Sequence, residues 1–425
     1  MGGKNMYKIS GVACDTLLKA CGSPLVVYDE NKIDEQIRLY VDNFKSSAFE
    51  TEVIYASKAF TCVAMLEKLQ KEGASIDVVS GGELYVAIQA KFPAQRIYFH
   101  GNNKLDEEII MALDYQVKTI VIDNLHEVHR VIALAEQKQQ PVDVLIRINP
   151  KVEAHTHEFI ATATADSKFG ISIDLVEEIK QMITLIEESS YVTFKGFHSH
   201  IGSQILAYEG FVAAIDKMVD FIKETGITVS TFNIGGGFGV RYTKDDTPVP
   251  TAHMCKTLID SLETAFAKAD IRVDKVCMEP GRSIVGEAGY SLYTVGFKKQ
   301  TQHKQFAFID GGMADNIRPA LYEAKYECIL ANKEHEAIAG VYEIAGKCCE
   351  SGDILIHDAP LPKVEAGDIL LMFTTGAYGY SMASNYNRLN RPAVVFVKDG
   401  HARQVLARES FETQMLLDVQ KDIEL

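Results

Sequence analysis

The sequence predicts an α/β protein: a (β/α)8 TIM-type barrel joined to a C-terminal antiparallel β domain that includes the N-terminal strand. Three observations predict it. Short runs rich in Val, Ile, Phe and Tyr alternate with segments whose apolar residues recur at helical spacing. The short runs are nearly continuous in apolar character up to a polar end, as parallel strands covered by helices are. Past residue 287 this rhythm stops, and short β-rich runs separated by Gly, Asp and Pro take over.

Taken in order, SPLVVYDE (Ser23–Glu30) reads as a strand that joins the later β domain. Lys32–Ser46 reads as a helix leading into the barrel. Eight β-rich runs follow, beginning at Val53, Ile76, Ile97, Thr119, Asp143, Phe194, Thr231 and Lys275. Between them lie helical segments such as CVAMLEKLQKEG, GELYVAIQAKF and DLVEEIKQMITLIEES. Asp174, and either Asp123 or Asn124, are expected helix N-caps. Eight strand–helix units match a barrel of about 250 residues. The expected domains are therefore 36–286 for the barrel, and 1–35 with 287–425 for the β domain. Two loops, Lys151–Lys168 (with His155 and His157) and Arg241–Thr251, have the length of lids at a barrel mouth.

Composition narrows the function. Of 425 residues, 47% are hydrophobic and 24% charged, which is ordinary for a globular chain. No run approaches the ~18 apolar residues that cross a membrane. The net charge of −15 repels a phosphate backbone, which argues against nucleic-acid binding, but it leaves room for a local basic pocket. The start of the chain has neither a signal-peptide nor a transit-peptide pattern. None of the eight cysteines forms a CxxC pair. Unpaired thiols in a large core suit a reducing, cytoplasmic setting.

In a barrel of this kind the chemistry sits at the C-terminal strand ends. Those ends carry Lys58, Ser80, His100, Asn149, His200, Gly235–Gly237 and Glu279–Arg282. A lysine buried at a barrel mouth can form a Schiff base; alone, Lys58 also reads as a surface lysine starting a helix. The run Gly235-Gly236-Gly237 follows strand seven, where barrels commonly hold phosphates. Glu279 can keep a pyridinium nitrogen protonated, and Arg282 offers a fork to an anion; a structural ion pair is the plainer reading. His198 and His200 share a strand face, which fits a metal pair or one imidazole stacked on an aromatic cofactor. Further metal ligands are thin, and no metal site is assigned. Cys348-Cys349-Glu350 reads locally as buried thiols before a solvated turn.

Single motifs decide little; their order decides more. YASKAF (55–60), AHTHEFIATA with SKFGI (154–172), HSHIGSQ (198–204), GGGFG (235–239), EPGR (279–282), IRPALY (317–322), CESGD (349–353) and GAYGYSMASNYN (376–387) span nearly the whole chain. The sequence resembles the alanine-racemase-like, fold type III class of pyridoxal-phosphate (PLP) enzymes, and within it the diaminopimelate decarboxylase family. The resemblance implies PLP-dependent decarboxylation of meso-2,6-diaminopimelate to L-lysine, with Lys58 carrying PLP and His200 stacking on its ring. It implies that Glu279 pairs with the pyridinium nitrogen and that Ser203, Gly235, Gly236, Gly237, Gly281, Arg282 and Tyr378 hold the phosphate. Arg282, Arg318, Tyr322 and Tyr378 would contact the substrate, Glu350 would bind its far ammonium, and Cys349 would return a proton after CO2 leaves. Cys349 and Glu350 would come from the partner of a homodimer with shared active sites. Phe238, often Leu in this family, and the Arg388–Arg391 turn are small departures. Of the doubled thiols, Cys349 is chosen because it directly precedes Glu350. The rivals are a related decarboxylase of ornithine, arginine or carboxynorspermidine, a non-catalytic homologue and, more distantly, a metal-dependent barrel hydrolase.

Overall fold

The computed structural model describes residues 6–152 and 167–423. It has two compact units. One comprises Met1–Ile33, Arg241–Asp245 and Val285–Leu425; the other comprises Asp34–Val240 and Asp246–Ile284. His155, His157 and most of the expected lid at 151–168 lie outside the described residues.

The second unit is a closed barrel. Its eight parallel strands are Glu50–Ala56, Ser75–Val78, Ile97–Phe99, Thr119–Ile122, Val142–Asn149, Val192–Ser199, Thr231–Gly236 and Lys275–Glu279. They pair in sequence order, and the eighth pairs with the first to close the ring. Each expected β-rich run falls on one of these strands. A two-residue strand, Ile171–Ser172, adds to the fifth at Ile148 and Asn149. Inside the barrel, Ile54, Tyr98, Val121, Leu145 and Cys277 pack as one cluster.

The covering helices follow from apolar spacing. Glu209–Thr225 buries Phe211, Ala214, Ile215, Met218 and Ile222, one stripe of a 3.6-residue period. Asn124 caps Leu125–Lys138, its side chain accepting from the Glu127 N–H at 2.9 Å. The other expected cap is corrected. The helix Val176–Glu187 starts two residues after Asp174, which pairs instead with Lys151; a local ion pair won over the cap.

A cavity of about 310 Å3 opens among Glu50, Glu52, Arg96 and Lys275, at the N-terminal end of the strands. Lys275 Nζ meets Glu52 Oε2 there at 2.8 Å. Its charges answer one another, as suits the end of a barrel that supplies stability rather than chemistry.

The first unit is a mostly antiparallel sheet. Leu25–Asp29 enters it between Gly289–Gln300 and Ala393–Lys398, so the N-terminal strand belongs where the sequence placed it. Two pairings are parallel: Leu25–Asp29 with Ala393–Lys398, and Gln305–Ile309 with Gly340–Ala345. The other pairings of this sheet are antiparallel, as expected. The barrel lies in sequence between the first two partners, so no hairpin signal could reveal their pairing. The core gathers Leu25, Val27, Leu292, Leu371, Val395 and Val397.

Phe238, the unusual residue of the glycine run, has a packing role. Its ring stacks on Phe211 at 4.7 Å and meets Tyr40 at 5.8 Å, and all three residues are buried. Phe238→Ala is expected to cost about 3–5 kcal/mol, and Phe238→Leu less than about 2 kcal/mol, because Leu refills part of the space. Denaturant melts of both variants check this; equal losses would show that Leu does not refill the space.

Candidate active site

The barrel unit brings together Lys58, His200, Ser203, Gly235–Gly237, Glu279, Gly281 and Arg282 at its C-terminal strand ends. Lys58 lies on a single 3-10 turn, Ser57–Ala59, right after the first strand. Its side chain is exposed rather than buried, which corrects the sequence expectation, while its neighbours Ser57 and Ala59 are buried. Two contacts fix this turn. Asp77 Oδ1, near the end of the second strand, accepts from the Ser57 N–H at 3.1 Å. The Ala56 N–H donates to the Pro280 carbonyl at 3.0 Å. The lysine turn and the Glu279–Arg282 turn are therefore one piece.

Glu279 is 6% exposed. Asn233 Nδ2 donates to its Oε1 at 2.8 Å, and His198 Nε2 lies 2.9 Å from Oε2. His100 Nε2 is also 2.9 Å from Oε1, close enough for electrostatic attraction but too poorly aligned for a hydrogen bond. Burial works against charge on Glu279; His100 and His198 outweigh it and hold the carboxyl well below the usual carboxylate range. Burial pushes the His198 imidazole down to about 4, so at neutral pH it acts as a neutral hydrogen-bond donor. His100, His198 and Glu279 are also spaced closely enough to hold a metal ion. Burial and the hydrogen bonds to Asn233 and His198 explain the cluster without one.

His200 follows the sixth strand. The Gly236 N–H donates to its Nδ1 at 3.1 Å, which places the proton of the neutral ring on Nε2. Burial first, and then the nearby charge of Lys58, keep that ring neutral, its pKa well below the ordinary histidine value. The Gly235 N–H donates to Asn233 Oδ1 at 2.8 Å. That leaves Gly237 with the amide of the run that has no internal partner among the described residues. Gly235 and Gly237 have φ of +69° and +109°. A Cβ at Gly236 would collide with the Glu279 carbonyl oxygen. Only glycines fit here, and they leave a concave cradle. Arg282, itself buried, reaches across to it: its Nη2 donates to Ser203 Oγ at 2.9 Å.

The β unit carries the remaining expected residues. Arg318 opens a short helix, Arg318–Tyr322, and is 5% exposed. Tyr322 lies beneath its guanidinium, with the ring centroid at 5.9 Å. Cys348 and Cys349 sit in a turn after Gly340–Ala345. Cys348 is buried, and burial pushes its thiol up to about 11. Cys349 and Glu350 are exposed. The Cys349 N–H donates to Asn387 Oδ1 at 2.6 Å, and Tyr386 Oη donates to Glu350 Oε2 at 3.5 Å. Asp353 accepts from the Cys348 and Met313 N–H groups at 2.8 and 2.6 Å and so folds the turn. Tyr378 has a left-handed backbone, φ +61°, in the loop after Ile369–Met372. Arg388 and Arg391 of the unusual turn pair with Asp418 and Glu409 at 2.9 and 2.7 Å.

Residues 30–286 match the family model described as pyridoxal-dependent decarboxylase, pyridoxal binding domain. A diaminopimelate decarboxylase of Bacillus subtilis is 46% identical over 97% of this chain and 95% of its own length. The chain belongs to the diaminopimelate decarboxylase family. A second family member, from Staphylococcus aureus, is 45% identical over 96% of this chain and 97% of its own length. The crystal structure of diaminopimelate decarboxylase from M. jannaschii, 35% identical, superposes with a TM-score of 0.89 over 99% of this chain and 97% of that one.

The residues present fit the family's cofactor. A glycine cradle beside Arg282 and Ser203 suits a phosphate. A buried ionised carboxylate on the adjoining strand suits a protonated ring nitrogen, and Lys58 stands just past the strand that pairs with that one to close the barrel. Sequence reasoning passed over Asp77 and gave Asn233 no role, and both shape the site. Their signal was a polar residue inside an otherwise apolar strand. Asp77 is 4% exposed. Burial first, with the charge of Glu279 adding, raises it to about 7 against the opposing pull of His100 and Lys58. A carboxyl whose pKa is higher in the folded state takes up protons on folding. Its contribution is therefore greatest below the unfolded value near 4 and is lost as pH rises to about 7. In the cofactor-free protein, Asp77→Asn is expected to be more stable than wild type at pH 8, by on the order of 1–4 kcal/mol, with the gap closing toward pH 4. Urea melts across that range check it; a gap that widens toward acid would contradict the raised carboxyl.

Proposed function

We propose that this chain decarboxylates meso-2,6-diaminopimelate to L-lysine and CO2 with PLP held at the barrel mouth. The observation that carries the proposal is Glu279, a buried carboxylate kept ionised beside a glycine cradle and an arginine. The membership of the diaminopimelate decarboxylase family supports the same reading. So does a neighbouring crystal structure, the M. jannaschii enzyme in co-complex with L-lysine, at 35% identity and a TM-score of 0.89.

Lys58 would be the point of covalent attachment of the cofactor. Ser203, the Gly237 amide and Arg282, in the cradle shaped by Gly235, Gly236 and Gly281 and with Tyr378, would hold its phosphate. Bound there, the cofactor supplies an electron sink for the pair left behind when CO2 departs. Glu279 holds a proton at the ring nitrogen, so the sink stays deep. His200 presents a neutral imidazole to the ring face, and its Nδ1 is kept in place by the Gly236 N–H. Arg318 and Tyr322, with Arg282 and Tyr378, would bind the far carboxylate, and Glu350 the far ammonium. These contacts tell the two amino-acid ends of the substrate apart. Cys349 would deliver the proton to the carbon that lost CO2; its exposure, against the burial of Cys348, supports that choice of thiol.

We assign Cys349 and Glu350 to the active site of a partner chain in a homodimer. Both are exposed on their own chain. Apolar side chains of the C-terminal segment, including Phe411 at 72% and Leu417 at 87% exposure, offer further surface for a second copy. The eight unpaired thiols favour the cytoplasm.

Purified protein supplied with PLP is expected to be yellow and to release CO2 and L-lysine from meso-diaminopimelate. Borohydride reduction should fix the cofactor to the peptide holding Lys58. Ornithine or arginine preferred over diaminopimelate, or label on another lysine, would overturn the reading. In the same assay, inactive Lys58→Ala chains mixed with inactive Cys349→Ala chains should regain up to about a quarter of wild-type activity, because half the dimers are mixed and each has one intact site. No recovery despite subunit exchange would place each site within one chain.

A further inference from the structure

We propose that Tyr242 and Tyr326 are positioning residues that hold Arg318 as an un-neutralised, pre-aimed cation, and so set selectivity for substrates with a far carboxylate. This rests on the proposed function of Arg318. The supporting geometry lies wholly within the β unit.

Arg318 is 5% exposed, and buried arginines ordinarily pair with a carboxylate. Among the described residues none does so here. Phenol groups surround it instead. Its Nη1 donates to Tyr242 Oη at 2.9 Å and to Tyr326 Oη at 2.6 Å. The guanidinium carbon lies 5.0 and 5.8 Å from the same two ring centroids. Those rings meet edge to face at 5.3 Å and 88°, and both residues are buried, so each braces the other.

Two consequences follow from counting protons. A guanidinium has five N–H groups in a rigid fork. The two hydroxyls take both protons of Nη1, which fixes the plane of the group and its rotation. Of the three that remain, the Nε–H and one Nη2–H share one edge, and that edge has the geometry for a bidentate carboxylate. Neither atom is a buried orphan, so the edge is not sealed off.

The second consequence is electrostatic. A phenol oxygen accepts a hydrogen bond without bringing a negative charge. An Asp or Glu in either place would orient Arg318 equally well but cancel its charge. Tyrosines solvate the cation and leave it whole for a ligand anion. A substrate without a far carboxylate gains nothing from this arrangement.

The test uses the PLP-loaded enzyme and the variants Tyr242→Phe, Tyr326→Phe and Tyr326→Glu. The Phe variants keep the ring packing and lose only a hydroxyl. Each should raise KM for meso-diaminopimelate about tenfold, as expected for a lost hydrogen bond to a charged group, with kcat within about twofold. Tyr326→Glu should raise it further, by about a hundredfold, because it supplies an internal counter-ion. The inhibition constant of cadaverine, which keeps the reacting amine but has no far carboxylate, should stay within about twofold in both Phe variants, while that of L-lysine, which keeps the far carboxylate, should rise with KM. An unchanged KM in the Phe variants, or cadaverine inhibition weakened as much as diaminopimelate binding, would overturn the proposal. So would a loss confined to kcat. Wild type that does not turn over diaminopimelate would instead refute the underlying function, and the proposal with it.

Discussion

A carboxylate that must stay charged while buried is the constraint on which the barrel site depends. Taking Glu279 out of water costs several kcal/mol unless its lone pairs are met. The barrel meets two of them with hydrogen bonds, from Asn233 on the seventh strand and His198 on the sixth, and His100 just past the third adds electrostatic attraction at 2.9 Å. Only closure of the ring brings these strand ends to one point. The same carboxylate anchors what surrounds it. Asn233 also takes the Gly235 N–H, and Gly236 passes so close to the Glu279 carbonyl that no side chain fits. The anion cradle and the ionised acid are therefore one construction, and a shift in either displaces the other.

The β unit treats a charge of the opposite sign in a similar way. Arg318 is buried against phenol hydroxyls, as Glu279 is buried against an amide and a neutral imidazole. In both places hydrogen bonds from groups without formal charge replace part of the lost hydration. A full counter-ion would have been the commoner way to bury such a group, and it would have left little field for a ligand. Preorganised dipoles keep the charge directed at an incoming partner and need no reorganisation when it arrives. The two sites differ in what they await. Glu279 suits a cationic ring nitrogen, and the Arg318 edge suits a carboxylate.

The fold was legible because its signals are local. Eight apolar runs with polar ends, separated by helical spacing, give the barrel directly, and Ser23–Glu30 declared itself a strand by composition. One feature of the β unit was hidden for a physical reason. The parallel partners Leu25–Asp29 and Ala393–Lys398 flank the whole barrel in sequence, and pairing at that separation leaves no turn signature. In the site, Lys58, Glu279 and Arg282 stood out because they are polar groups at strand ends. Asp77 and Asn233 act through what they hold, and their side chains look like flaws in an apolar strand until the ring closes. Tyr242 and Tyr326 could not be read at all, since aromatic residues in loops usually signal only packing. Lys58 is exposed rather than buried because it sits on a single 3-10 turn past the end of its strand, between the buried Ser57 and Ala59, with its charge still within reach of Asp77 and His200.

The central claim is that Glu279 keeps the cofactor's ring nitrogen protonated. Nitrogen-15 NMR of the enzyme reconstituted with ring-labelled PLP tests it most directly. The account predicts a pyridinium resonance in wild type throughout the neutral range, and a shift to the unprotonated pyridine position in Glu279→Gln with the cofactor still bound. An unprotonated ring in wild type, or a ring equally protonated in the variant, would contradict it.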